Sequence, residues 1–315
     1  MSLTLTPRLA LSVIAPALIG LAGTYFAVKV FESYGWTLFL GLPILVSFLS
    51  TLIFRRTGSS TWGASYGTSL LSILFLGCLI LLFAIDGLIC LLMALPLAAV
   101  LALIGSSFGF LLGKRLSGGV TGVAPVVLVM LFPFLVAFES KNRLPAPLHE
   151  VTTRIEVLAP IQAVWDEVIA FDRIEEPPTG IFRFGIAYPI EAKIEGTGVG
   201  AIRHCIFSTG PFVEPITRWD EPHALEFDVT SNPPPMKEFS PWGEIDTPHL
   251  HDTFTSERGR FRLYEEEGKT ILEGTTWYRQ TISPDFYWHK ISDHLIHLIH
   301  LRVLEHIKKQ AENKG

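Results

Sequence analysis

The rhythm of hydrophobic positions changes about halfway along the chain. The first part holds long apolar runs over 9–31, 36–54, 69–85, 88–112 and 120–138. Runs of this kind predict membrane-spanning helices, since about 20 apolar residues cross the hydrocarbon core. The first run is also too long for the apolar region of a signal peptide. Five spans are expected, the third short and ended by Asp86-Gly87. From 151 the rhythm becomes alternation. Val151, Thr153, Ile155 and Val157 interleave with Thr152, Arg154 and Glu156, as in a half-buried strand. Ala159-Pro160 opens a helix with Val164, Trp165 and Val168 on one face. Strand-like segments follow over 183–195, 199–209, 212–220, 224–230, 254–265 and 270–282. Their short turns predict an antiparallel meander.

Residues 232–252 break this rhythm with five prolines and predict a long loop. Met236, Phe239 and Trp242 lie on it, as a lid, a membrane-interface contact, or part of a loop packed on the sheet edge. The last segment, 284–309, has a helical period. One face carries Trp288, Ile291, Leu295, Leu298, Ile299 and Val303. Beside it runs a stripe of His289, Asp293, His297 and His300.

Composition sharpens this division. The chain is 49% hydrophobic, with a mean hydropathy of +0.40. Residues 1–144 carry a net charge of +5 and residues 145–315 a net of −10, with all ten histidines in the latter. Nucleic acid is therefore not an expected partner. The expected organisation is a membrane helical region over 1–139, a linker over 140–150, and a soluble α+β domain over 151–315. Arg55, Arg56, Lys114 and Arg115 occupy loops that share one side. Positive-inside orientation makes that side cytoplasmic, as is the N-terminus. After five spans the soluble domain is extracytoplasmic; four would reverse it. Gly105, Gly109 and Gly113 permit close helix packing within the bundle. The three cysteines form no disulfide framework or zinc signature.

The order strand, helix, antiparallel strands, long C-terminal helix resembles the START-like or polyketide-cyclase (SRPBCC) superfamily. EVLAPIQAVWDEV, GTGVGAIRHCIF, PITRWDEPHALEFDVT and ILEGTTWYRQTI carry the resemblance, which covers about residues 150–310. It implies a helix-grip fold: a curved sheet around the last helix, with an apolar cavity between. It also implies binding of lipids, sterols or polyketides, and in some members cyclase or metal-dependent oxygenase chemistry.

Candidate residues follow from both readings. Trp219, Phe227, Trp277, Trp288, Ile291 and Leu295 are core or cavity wall. His204 and Arg279, with Glu214 and Glu273, are polar anchors if strand parity turns them inward. The stripe His289, Asp293, His297 and His300 is a candidate metal site, with Asp252, His249 and His251 as added donors. The alternative is an imidazole flank hydrogen-bonded to the sheet. No catalytic set is assigned, and no cofactor beyond that metal. The expected function is a membrane-anchored binding module for a hydrophobic or lipid-like molecule. The alternatives are a cyclase- or oxygenase-type enzyme using the stripe, or a ligand-free scaffold or sensor domain. Nothing in the sequence specifies an oligomeric state.

Overall fold

A computed structural model describes residues 7–56, 61–115, 123–143, 145–251 and 253–314. The chain forms two units. One comprises Met1–Leu144 with two later excursions, Glu238–His249 and Ile282–Pro284. The other comprises Pro145–Lys237, Leu250–Thr281 and Asp285–Gly315.

The helical unit begins with α1 (Pro7–Tyr25), which runs on as a π-helical turn to Val30. A second π-helical turn, Thr37–Gly41, leads into α2 (Leu42–Arg56), followed by α3 (Trp62–Leu82), α4 (Leu88–Arg115) and α5 (Val123–Lys141). Among the described residues four stretches are long and apolar enough to cross a membrane: Leu9–Val30, Thr37–Arg56, Trp62–Leu82 and Leu88–Gly113. The expected five spans are thus met by four, and α5 stands outside that count. The third span is longer than its apolar run because its first turns are rich in hydroxyls. Thr68 donates to the Ala64 carbonyl and Ser69 to that of Ser47, so these groups are buried with partners.

Polarity in this unit is inverted relative to a water-soluble bundle. Ser47, Thr51, Ser69 and Ser106 are buried, while Leu11, Val100, Phe108 and Phe134 are exposed. The hydroxyls of Thr51, Ser69 and Ser106 hydrogen-bond one another at 2.8–2.9 Å. Small residues bring the backbones together, as membrane helices require in the absence of a hydrophobic driving force. A methyl group at Gly105 would press into the Ile44 carbonyl, and one at Gly109 into that of Phe48. The glycine stripe therefore packs α4 on α2.

The second unit holds β1 (Leu148–Val157), α6 (Ile161–Ile169), β2 (Pro189–Glu195), β3 (Ile202–Phe207), β4 (Gly210–Asp220) and β5 (Ala224–Asp228). The chain then forms a small hairpin, β6 (Glu238–Ser240) and β7 (Gly243–Ile245), within the helical unit. It resumes with β8 (Phe254–Glu266), β9 (Lys269–Gln280) and α7 (Asp285–Lys314). The main sheet has seven strands, all antiparallel, in the order β1-β9-β8-β5-β4-β3-β2. An antiparallel sheet with one long C-terminal helix packed on it is the helix-grip arrangement. The expected strand over 183–195 begins only at Pro189, after a 3-10 turn at Gly180–Phe184. The one over 199–209 begins at Ile202, because Gly198 and Gly200 take positive φ.

The core lies between the sheet and α6 and α7. Val157, Trp165, Leu225, Leu272, Leu304 and Ile307 are completely buried in it. On α7 the buried positions are Trp288, Ile296, Val303, Leu304, His306, Ile307 and Ala311. Of the expected apolar face only Trp288 and Val303 are buried; Ile291, Leu295, Leu298 and Ile299 are half-buried. The helix is turned by about one residue, or 100°, from that expectation. Its gripping face is shared with the histidine stripe.

Leu304 reaches Gly274 of β9 across this interface. Leu304→Ala is expected to destabilise the sheet unit by about 2–5 kcal/mol, read as a lower urea midpoint by tryptophan fluorescence. His294→Ala, on the exposed side of the helix, should change it by less than about 0.5 kcal/mol.

Candidate functional site

Strand parity decides which side chains meet α7. In β9 the residues turned to the helix are Leu272, Gly274, Thr276 and Tyr278. Trp277 and Arg279 lie on the other face. Trp277 Nε1 donates to Glu150 at 2.9 Å, and the Arg258 and Arg260 guanidinium groups lie 4.3 Å and 5.2 Å from its ring centre. Arg279 Nε donates to Glu257 at 2.7 Å. Glu273 accepts from the Tyr264 hydroxyl at 2.8 Å.

The stripe on α7 meets the sheet residue by residue. Thr153 Oγ1 lies 2.8 Å from His297 Nδ1 and 3.0 Å from His300 Nδ1, and Thr276 Oγ1 lies 2.8 Å from His300 Nε2. Tyr278 donates its hydroxyl to Asp293 at 2.6 Å. His289 Nδ1 donates to the Asp285 carbonyl at 2.7 Å, and its ring stacks on His149 with centroids 5.1 Å apart. His297 and His300 thus share Thr153, while Asp293 and His289 engage other groups, and among the described residues the four are not a cluster placed to hold one metal ion. Both ring nitrogens of His300 are held by hydroxyls. Burial, with the nearby His297, pushes its pKa down to about 4, so it is neutral at physiological pH. Of the added donors, His249 belongs to the helical unit and His251 is exposed. Asp252 lies outside the described residues.

On β3 the inward residues are Arg203 and Cys205, and His204 points the other way. Arg203 is 1% exposed. Its Nη1 donates to Glu214, directly across the β3–β4 ladder, and its Nε donates to the Ile169 carbonyl at 3.2 Å. The rings of Phe171, Phe227 and Phe261 surround the guanidinium, their centres 5.5–5.7 Å from it. Its Nη2 makes no geometric hydrogen bond among the described residues, and the Cys205 thiol, a weak acceptor, is the polar group beside the guanidinium on its own strand. Burial pushes the Glu214 carboxyl up, and Arg203 pulls it down. Burial also pushes the Cys205 thiol up to about 12, so it stays protonated.

The remaining candidates are apolar. Trp219 meets Trp165 edge-on with centroids 5.8 Å apart. Phe227 lies beside Phe261 in the core. Trp288 is buried, while Ile291 and Leu295 are half-buried. Arg203 escaped the sequence reading because Ile202 and Ile206 suggest the opposite parity. The tight turn near Ser208–Thr209 was the available signal, since a hairpin folded there sets Arg203 opposite Glu214.

No protein-family model matches the chain, and no curated protein does. Solved structures similar to it include a point mutant of norcoclaurine synthase from Thalictrum flavum in complex with a transition state analogue. That likeness has 16% identity and a TM-score of 0.34 over 55% of this chain and 99% of that one. Ara h 8.0201 is similar at 10% identity and a TM-score of 0.31, over 53% and 99%. The di-domain ARO/CYC StfQ from the steffimycin biosynthetic pathway is similar at 9% identity and a TM-score of 0.35, over 60% and 59%. The fold assignment rests on the strand order and register above.

His300 makes stability depend on pH. Its folded pKa is depressed, so its contribution is complete above the unfolded value of about 6.5. It is lost as pH falls towards the folded value of about 4. His300→Gln is expected to flatten the rise of the unfolding midpoint across this window. An unchanged slope in the folded variant would contradict this assignment.

Proposed function

We propose that the chain is a membrane-embedded binding module whose helix-grip domain holds an amphipathic, largely apolar molecule with its polar end at Arg203. The observation that carries this reading is the Arg203–Glu214 pair, buried among three phenylalanine rings with Nη2 unpartnered. A buried ion pair is weak support for stability, since apolar residues of similar volume often do as well or better. An unsatisfied guanidinium N–H in such a place is costly unless an acceptor reaches it. A carboxylate or a similar oxygen head group suits that donor, and an apolar body suits the rings around it. In this reading Phe227 supplies apolar surface beside Arg203, and Trp219, packed on Trp165, with Trp288, Ile291 and Leu295 on α7 supplies the rest. His204, Trp277 and Arg279, on the opposite sheet face, take no part.

The same proposal includes α5 as a fifth membrane crossing. Glu139, near its C-terminal end, accepts from the Trp36 and Thr37 amides at 2.5 Å and 3.0 Å. Arg143 Nη2 donates to the Glu32 carbonyl at 2.7 Å. Mid-helix, Phe132 packs where a methyl group at Gly23 of α1 would sit. A 19-residue helix is about 28 Å long, so its start lies near the opposite end of the bundle. With Arg55, Arg56, Lys114 and Arg115 cytoplasmic, the sheet domain is then extracytoplasmic.

The test uses Arg203→Met combined with Glu214→Met, so that no charge is stranded. The double variant is expected to fold with similar or greater stability. It should bind a dansyl-labelled long-chain fatty acid at least about tenfold more weakly than the parent. A folded double variant that binds the probe unchanged would overturn the reading.

A further inference from the structure

We propose that Asp86, Cys90 and His249 of the helical unit form a site for one divalent transition-metal ion of the zinc class, with Glu238 orienting the imidazole. Asp86 lies in the turn between α3 and α4, and Cys90 in the first turn of α4. A spacing of four at a helix start sets both side chains on one side. His249 comes from the 3-10 turn Pro248–Leu250. One oxygen, one sulfur and one nitrogen from these three residues lie within 4.8 Å of one another, and all three residues are buried. Asp86 Oδ1 is 3.3 Å from His249 Nδ1. Two ligands of a tetrahedral zinc ion, bonded at about 2.0–2.3 Å, lie roughly 3.3–3.6 Å apart, so Asp86 and His249 already stand at that spacing and the thiol closes on them from within 4.8 Å. Binding would replace the 3.0 Å contact between His249 Nδ1 and the Thr247 hydroxyl.

The charge inventory points the same way. Asp86 is 4% exposed and Glu238 0%. Among the described residues neither carboxylate meets a lysine or arginine, and His249 is the base that faces both. Two buried carboxylates beside one imidazole leave a deficit of positive charge that a divalent cation removes. The surrounding shell is organised for it. Glu238 accepts from the Ile89 and Cys90 amides at 2.9 Å and 2.7 Å, which caps α4 and fixes the carboxylate. A methyl group at Gly87 would collide with that carboxylate. Glu238 Oε1 is 3.5 Å from His249 Nε2, close enough to tighten into the carboxylate contact that orients a metal-bound imidazole. The Tyr34 ring meets His249 edge-on at 5.3 Å and covers it.

A thiolate, an imidazole and a carboxylate select zinc or cobalt over magnesium or calcium. Cys90 binds as the thiolate and releases its proton to solvent on metal uptake. Three protein donors leave the fourth tetrahedral position to a water or another exogenous ligand.

The experiment is a Co(II) titration of the full chain in detergent after chelator treatment. About one ion per chain is expected, with a thiolate-to-cobalt charge-transfer band that Zn(II) abolishes. Cys90→Ser should remove the band, while Cys78→Ser and Cys205→Ser should keep it. Glu238→Gln, which retains an acceptor for the helix cap, should weaken binding by about 10–100-fold. Folded parent chain that takes up no cobalt, or a band that survives Cys90→Ser, would overturn the proposal. If the variants fail to fold, the parent decides: cobalt bound without a thiolate band rules out Cys90.

Discussion

Everything in the sheet unit depends on how α7 lies on β1 and β9. The helix presents a mixed face, with leucine, isoleucine and the buried His306 towards its C-terminal end and further imidazoles and a carboxylate towards its start. An apolar sheet surface would leave those polar groups unsatisfied, at a cost of about 1–3 kcal/mol each. The sheet supplies Thr153, Thr276 and Tyr278 at the matching positions. These bonds fix the rotation of the helix about its axis. The same rotation sends Leu304 and Ile307 into the core, completely buried.

The helical unit is governed by the complementary problem. Its exterior is apolar and its interior holds hydroxyls and small residues. Two helix starts are capped by carboxylates from distant parts of the sequence, Glu139 on the turn leading into α2 and Glu238 on α4. Each carboxylate occupies the space beside a glycine, Gly35 or Gly87, where a side chain would not fit. Capping fixes the loops at one end of the bundle, and with them the cluster around Asp86. The two units thus spend their buried charges differently: the sheet unit holds an arginine–glutamate pair, the helical unit a set of metal-type donors.

Element types were largely legible in the sequence, because runs and alternations report burial directly. The long apolar stretches, the alternation over β1 and the period of α7 all correspond to elements in the structure. Boundaries moved where a local feature overrode hydropathy, as at the hydroxyl-rich start of α3 and at the glycines before β3. Side-chain direction was less legible. A shift of one residue moves α7 by about 100° and reverses a strand. That is how Arg203 came inward in place of His204, and how the histidine stripe came to face the sheet. The cluster of Asp86, Cys90, Glu238 and His249 was out of reach of pattern reading, since its members come together only through the β6–β7 hairpin of the helical unit.

The central claim is that the interior around Arg203 is built to receive an amphipathic molecule. Native mass spectrometry of the full chain, released gently from detergent or nanodiscs, addresses it directly. The account predicts a discrete noncovalent adduct, an acidic apolar molecule that leaves on activation. Folded chain that appears only at its bare mass, both as isolated and after incubation with long-chain carboxylic acids, would contradict it.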